Sequence, residues 1–310
     1  AETRLPQDGR IELTVGGRSV DLRVSTLPTM FGESCVMRVL DRSVVALDLE
    51  NLGFSEAQRK ELRTFNDLPH GIVLVTGPTG SGKTTTPYAL LNEANQEAVK
   101  IITVEDPVEY DLEGILQIPV AEDIGVTYSA VLRTILRQDP DIILVGEIRD
   151  RETAHTAIEA SLTGHLVFST LHTNDAPSAI TRITDIGIEP FLLTATLHAV
   201  VAQRLVRRVC TKCKVLYEPN DDVLRELSVR RDEVEGKRFA QGKGCEACNF
   251  SGYRGRMALL EVMVMNDRLK EMILDGKSTA SLASAARESG MRTLRESGLG
   301  AVFDGLTSVE

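Results

Sequence analysis

The sequence predicts an α/β protein built around a doubly wound, mainly parallel sheet, with a small β-rich region before it and a cysteine-bearing segment and helices after it. Three observations carry this prediction. Short apolar or β-branched runs alternate with helical stretches between residues 71 and 171. A glycine-rich loop joins the first of these runs to the first of the helices, and two Cys-x-x-Cys pairs lie beyond the alternating region. Alternating strand and helix is the pattern of a parallel layer covered on both faces. A length of 310 residues suits more than one domain.

Residues 10–24 read as a hairpin, because Ile11, Leu13 and Val15 alternate with polar residues, Gly16-Gly17 fits a two-residue turn, and Val20, Leu22 and Val24 alternate again. Cys35, Val36, Val39 and Leu40 suggest a further strand after a loop at Pro28, with Cys35 a buried small hydrophobe. A helix follows, capped by Ser55 with Gln58 three residues on, and continues to about Phe65. Ile72 to Thr76, Lys100 to Val104, Ile142 to Val145 and Leu166 to Thr170 are continuous runs that suit strands buried on both faces. Helices are expected near 86–95, 129–138 and 151–161, and again over 267–300 with Gly276, Gly290 and Gly298 as stops. The expected domains are 1–46, small and β-rich; 47–205, the α/β core; 206–262, the cysteine module; and 263–310, helical.

Composition narrows the function. Thirty-five basic residues against 45 acidic ones give a net charge of −10, a poor balance for nonspecific binding to nucleic acid or to an anionic membrane. Aromatics are 4% of the chain and Trp is absent, which disfavours a base-stacking platform. The longest apolar stretch, Phe191 to Val201, is interrupted by Thr194, Thr196 and His198 and is too short to span about 30 Å of hydrocarbon. With no visible signal peptide, the expectation is a soluble cytoplasmic protein. The chain starts at Ala1 and ends on Thr307-Ser308-Val309-Glu310, a capping-box pattern that opens a helix, so a fragment of a longer protein is expected.

The loop Gly77-Pro78-Thr79-Gly80-Ser81-Gly82-Lys83-Thr84 matches G-x-x-x-x-G-K-[ST] between a strand and a helix. Glycines let backbone amides close around phosphate oxygens, and the helix start adds its positive end. Lys83 would neutralise the β- and γ-phosphates and Thr84 would ligate Mg²⁺. Pro87, in the first turn of the next helix, cannot donate to the Lys83 carbonyl, so a bend is expected there. Ligands of such sheets bind beyond the carboxyl ends of the strands, where three polar clusters converge: Glu105–Glu109, Gly146–Asp150 and Thr170–Asp175. Glu147 is the candidate for polarising water, Glu105 and Asp106 for organising Mg²⁺ through water, and His172 for sensing the γ-phosphate. His165, His155 and the cap residue Asp150 read as structural. Arg10, Arg23, Arg133, Arg137 and Arg149 are candidates for positive charge supplied from another domain or subunit.

Cys210, Cys213, Cys245 and Cys248 form two knuckles separated by 31 residues, the ligand set of a closed tetrahedral Zn²⁺ site. A thioredoxin-like redox pair would need one Cys-x-x-Cys and a βαβ context.

Taken together, these motifs resemble the secretion ATPase superfamily, in its type II secretion and type IV pilus assembly branch, over nearly the whole chain. The resemblance rests on Arg4–Arg10, Asp21–Ser25, the Walker A loop Gly77–Thr84, an Asp box Thr103–Glu109, the stretch Leu136–Asp141 leading into a Walker B segment Ile142–Asp150, a His box from Gly164-His165 to Asp175, and the tetracysteine module. It implies a RecA-like P-loop ATPase core preceded by the remnant of a small α+β, PAS-like domain. It implies a hexameric ring in the cytoplasm, recruited to the inner face of the inner membrane by a platform protein and holding ATP, Mg²⁺ and structural Zn²⁺. On that resemblance Glu147 is the Walker B glutamate, Thr85 and Asp106 join the nucleotide site, and Arg10 and Arg23 approach the γ-phosphate when domains close. The work expected is assembly of a type IV pilus or a type II secretion pseudopilus, since retraction relatives lack the cysteine module. A nucleotide-gated interaction protein with little turnover and a nucleic-acid translocase on the same core are the rival readings; Glu147 argues against the first and acidic charge against the second.

Overall fold

The computed structural model describes residues 2–16, 18–41 and 47–309, which fall into two compact units, 1–47 and 48–310. In the first unit, β1 (Gln7–Val15), β2 (Arg18–Thr29) and β3 (Gly32–Asp41) form an antiparallel three-stranded sheet in chain order. The predicted hairpin is β1–β2, with Gly16 at φ 59° in its turn; Gly17 lies outside the described residues. Pro28 is not in a loop but in β2, opposite Glu33 of β3. Pairing with β1 reaches only to Gln7 opposite Thr26, so Pro28 has a strand on one side alone, where a missing N–H is tolerated. The register sets Ile11, Leu22 and Val39 on one face, and Arg10, Arg23 and Arg38 in a single rung on the other. Cys35 is exposed rather than buried, because the described residues of this unit form one sheet with no second layer of their own to cover either face.

The second unit opens with α1 (Glu56–Arg63), where Ser55 and Gln58 make the expected reciprocal cap. The sequence then runs β4 (Gly71–Thr76), α2 (Thr85–Ala94), β5 (Ile101–Glu105), β6 (Leu116–Pro119), α3 (Tyr128–Ile135), β7 (Ile142–Val145), α4 (Arg151–Leu162) and β8 (Leu166–Leu171). It continues through α5 (Ala176–Asp185), α6 (Pro190–Thr196), β9 (Leu197–Val209), β10 (Lys214–Tyr217), α7 (Asp221–Glu226), β11 (Phe239–Gly242) and β12 (Tyr253–Val264). Helices α8 (Asp267–Leu274), α9 (Thr279–Glu288) and α10 (Leu294–Phe303) close the described chain.

Seven strands make one sheet in the order β12-β9-β4-β8-β7-β5-β6, parallel throughout except for the antiparallel edge strand β12. The four predicted strands are β4, β5, β7 and β8, every residue of which is buried, and they hold the centre. Helices on the two faces cover them, so that β4 is followed at its carboxyl end by the glycine loop, and β5, β7 and β8 by the three polar clusters.

Several expectations are corrected at the periphery. The apolar run Phe191–Val201 divides between α6 and β9. Gly298 does not stop a helix: α10 continues through it to Phe303, and a Cβ there would lie 3.4 Å from Leu259 Cδ1, so the glycine seats the helix on β12. The helix ends instead before Gly305, at φ 66°. The capping box at Thr307–Glu310 involves a residue outside the described ones, and the Thr307 hydroxyl donates to the Arg207 carbonyl at 2.8 Å. The expected module limits at 206 and 262 fall inside β9 and β12, which belong to the main sheet.

Candidate nucleotide site and cysteine cluster

The glycine loop is held from two sides. Thr76, ending β4, accepts the Thr173 amide on its hydroxyl at 2.8 Å and so ties the loop's start to the His box. From β9, Gln203 donates to the Ser81 carbonyl at 3.0 Å and accepts the Thr86 hydroxyl at 2.7 Å, bracing both the loop and the first turn of α2. The fit is close: a Cβ on Gly77 would lie 2.5 Å from the Gln203 carbonyl oxygen, and one on Gly82, at φ 79°, 2.9 Å from Gln203 Nε2. A Cβ on Gly80, at φ 78°, would meet nothing within 4 Å. The loop therefore packs tightly behind and opens in front.

Its polar groups fit a phosphate. Ser81 Oγ is buried without a hydrogen-bond partner. Thr84 stands at the N-cap of α2 but makes no side-chain capping bond, which leaves its hydroxyl for a cation. Burial pushes the Lys83 ammonium below the usual lysine range, opposed by the negative charge of Glu147. An ammonium partly stripped of water beside a carboxylate is poised for an added anion. Pro87 occupies the third helical position, where an amide has no helical partner anyway. Without that amide the Lys83 carbonyl has no donor from residue 87, and α2 begins at Thr85. Thr85 itself donates to the Gly82 carbonyl at 3.1 Å.

Glu147 projects from the end of β7 with its side chain 12% exposed. Its carboxylate pairs with Arg149, and its other oxygen lies 3.3 Å from His172 Nε2. The Walker B and His-box strands are also stitched together, Thr170 Oγ1 donating to the Gly146 carbonyl at 2.6 Å. Thus Glu147, His172 and Arg149 meet beyond the carboxyl ends of β7 and β8, and Lys83 feels the charge of Glu147.

Glu105 and Asp106 part company. Glu105 is 3% exposed, and its carboxylate takes the hydroxyls of Tyr88 and Thr103 and the Gln117 amide. Burial raises its pKa above the ordinary carboxylate range against those three hydrogen bonds. A carboxylate so engaged is not presented to a hydrated cation; of the predicted pair only Asp106 is exposed. Tyr88, unnoticed in the sequence, also accepts the Glu109 amide at 3.2 Å, so α2 anchors the Asp box directly. Burial pushes the Tyr88 and Tyr128 phenols well above their usual range.

The other candidates lie elsewhere. Arg133 pairs with Glu152 at 2.7 Å, and Arg137 donates to the Arg133 carbonyl at 2.9 Å. His165 lies at the amino end of β8, its Nδ1 2.8 Å from the Ala160 carbonyl, and His155 is 3.4 Å from Glu159 on α4. Asp150 caps α4 through the Thr153 amide at 2.8 Å. In the first unit, Arg10 pairs with Asp21 and lies 3.7 Å from Glu12. Arg38, sharing the rung of Arg10 and Arg23, went unnoticed because only strand register shows the alignment.

The four paired cysteines converge. Their Sγ atoms all lie within 4.8 Å of one another, with Cys210–Cys245, Cys213–Cys248 and Cys245–Cys248 at 3.9, 3.8 and 3.7 Å. Four sulfurs about 2.3 Å from a tetrahedral zinc would be about 3.8 Å apart, so the cluster has the dimensions of that site.

The type II/IV secretion system protein family model matches residues 1–310. The chain belongs to that family. Among curated members, it is 48% identical over 310 residues to the type IV pilus assembly ATPase PilB of Thermus thermophilus, matching all of this chain and 35% of that protein. It is 50% identical to the type II secretion system protein E of Dickeya dadantii and 52% identical to the type II secretion system protein HxcR of Pseudomonas aeruginosa, over 61% and 62% of those proteins. The chain therefore spans between about a third and three fifths of these family members. Among solved structures, the pilus retraction motor PilT with bound ADP superposes with a TM-score of 0.70 at 27% identity, covering 98% of this chain and 76% of that one. The ATPase DotB of Legionella pneumophila, at 20% identity and a TM-score of 0.69 over 98% of this chain and 75% of that one, shares the fold. The core is thus RecA-like, in keeping with the family.

Proposed function

We propose that this chain is the motor portion of a ring-forming ATPase that hydrolyses ATP to drive assembly of a type IV pilus or a type II secretion pseudopilus. The observation that carries the reading is the loop itself: an open glycine cradle with an orphaned, buried Ser81 Oγ, set beside Lys83 and Glu147. Lys83 holds the phosphates, Thr84 and Asp106 serve the Mg²⁺, Glu147 orients the attacking water, and His172 reports on the γ-phosphate. A bound Mg²⁺ supplies charge neutralisation. In a homohexamer a neighbouring subunit supplies further positive charge to the transferred phosphoryl group, and Arg10 and Arg23 are the candidates for it. The four cysteines hold a structural zinc. No helix among the described residues is long and apolar enough to cross a membrane, which agrees with action at the cytoplasmic face through an inner-membrane platform protein.

Steady-state ATP hydrolysis per chain, measured as protein concentration rises, tests this. Specific activity that climbs cooperatively is expected, because sites are completed between subunits. Flat activity refutes the shared site, and tight Mg·ATP binding with no turnover at any concentration replaces the motor with a nucleotide-gated switch.

A further inference from the structure

Glu261 is the one acidic residue in the apolar run Met257–Val264 of β12, and it is 4% exposed. No part of the nucleotide site explains it. Its two oxygens reach two different helices: Oε1 accepts the Ala176 amide at 2.8 Å and Oε2 the Leu294 amide at 3.1 Å. These are the first residues of α5 and α10. At each helix the cap residue serves the third amide instead, Asp175 accepting from Ser178 at 2.8 Å and Thr293 from Glu296 at 3.2 Å. Glu261 thus completes both caps, and its charge sits between two positively polarised helix starts, where an anion is favoured.

The two helices belong to different parts of the molecule. α5 begins where the His-box loop ends, four residues after His172, whose ring lies beside Glu147. α10 carries the cysteine-bearing segment, since Val302 packs in one cluster with Phe239 and Leu224, and the Phe303 and Phe239 rings lie 5.8 Å apart. We propose that Glu261 is a positioning residue that locks the 172–176 loop to the start of α10, so that a shift of α10 moves His172 relative to Glu147. Its effect on turnover rests on the ATPase reading above; the lock itself does not.

Leu294→Pro and Leu294→Ala test the lock in the whole chain. Proline is well tolerated at a first helical position and the extended Thr293 before it is compatible, so Leu294→Pro removes the donated amide, whereas Leu294→Ala removes only the side chain. Hydrogen exchange over residues 172–178 is expected to quicken about tenfold in Leu294→Pro and in Glu261→Gln, which offers one acceptor instead of two, and to stay unchanged in Leu294→Ala. Exchange over 77–86 stays unchanged in all three. For the intact enzyme, Glu261→Gln is expected to lower kcat about tenfold with KM for Mg·ATP within about twofold, because it misplaces a group near the reacting atoms without touching the phosphate loop. Equal exchange at 172–178 in the two Leu294 variants, or unaltered exchange in Glu261→Gln, overturns the lock. Quickened exchange with kcat unchanged overturns its catalytic consequence. An unaltered chain that fails to hydrolyse ATP refutes the ATPase reading, while the exchange comparison still decides the lock.

Discussion

Replacing Gln203 by Ala puts the bracing of the phosphate loop to a direct test. The side chain makes two buried hydrogen bonds, to the Ser81 carbonyl at 3.0 Å and from the Thr86 hydroxyl at 2.7 Å, and Gln203, Ser81 and Thr86 are 2%, 3% and 0% exposed. Each such bond is worth about 1 kcal/mol net, and a buried group left without a partner costs about 1–3 kcal/mol. Two groups are stranded at once, so the variant should lose about 2–4 kcal/mol of stability to urea. The loop also loses the wall behind Gly82 and samples other conformations, so part of that loss returns as an ordering cost when nucleotide binds. If about 1–2 kcal/mol moves to the binding step, Mg·ATP affinity falls about five- to thirtyfold. Gln203→Glu keeps the acceptor for Thr86 but turns a buried carboxylate oxygen toward the Ser81 carbonyl and sets a negative charge beside a phosphate site, so its affinity should fall further and its stability at least as far. Equilibrium binding of a fluorescent ATP analogue, run beside urea melts, reads both quantities. Affinity unchanged in Gln203→Ala, with stability lowered as calculated, would show that the loop holds its own shape and that the brace serves the fold alone.

Other outcomes can be checked on the same protein. Lys83→Ala should weaken nucleotide binding more than tenfold, whereas Glu147→Gln should bind ATP with normal affinity and turn over at least a hundredfold more slowly; unchanged turnover removes Glu147 from its role. Pro87→Ala restores a donor for the Lys83 carbonyl, so the new amide of residue 87 should exchange slowly while global stability moves by no more than about 1 kcal/mol, one hydrogen bond gained against proline's entropic benefit lost. Metal analysis should find one zinc per chain, and stripping it with a chelator should raise proteolytic cleavage within 210–252 before the sheet melts; a substoichiometric value with titratable thiols at Cys210 and Cys245 would favour a redox pair.

What was legible in the sequence was whatever local pattern determines. The runs at 72–76, 100–104, 142–145 and 166–170 are too apolar to be anything but doubly covered strands, and they became the centre of the sheet. The glycine loop declares itself because phosphate binding demands those residues at that spacing. The edge strands were obscure for the opposite reason. β9 ends in Arg204-Leu205-Val206-Arg207-Arg208-Val209, with no clear period, and is a strand because β4 and β12 pair with it over long sequence separations. Gln203 and Glu261 gain their roles only from those pairings. Glu105 looked like its neighbour Asp106 in the sequence; Tyr88 from α2 and Gln117 from β6, each distant along the chain, decide that it turns inward. Cys35 was misjudged because an apolar alternation reports which face is apolar, not whether anything covers it.

The pairing of Val209 with Tyr253 has a mechanical consequence. β9 and β12 would form an ordinary long hairpin were residues 210–252 not spliced into its tip. That graft packs on Leu299, Val302 and Phe303 of α10 and on Val309. It is also no pendant on a flexible tether. Because it joins β9 and β12 at the same end, a pull on it along the strands draws both the same way, and the shear falls on the rungs between β9 and β4, from Ile72–Leu197 to Thr76–Ala202. A segment rooted in this way can bear force.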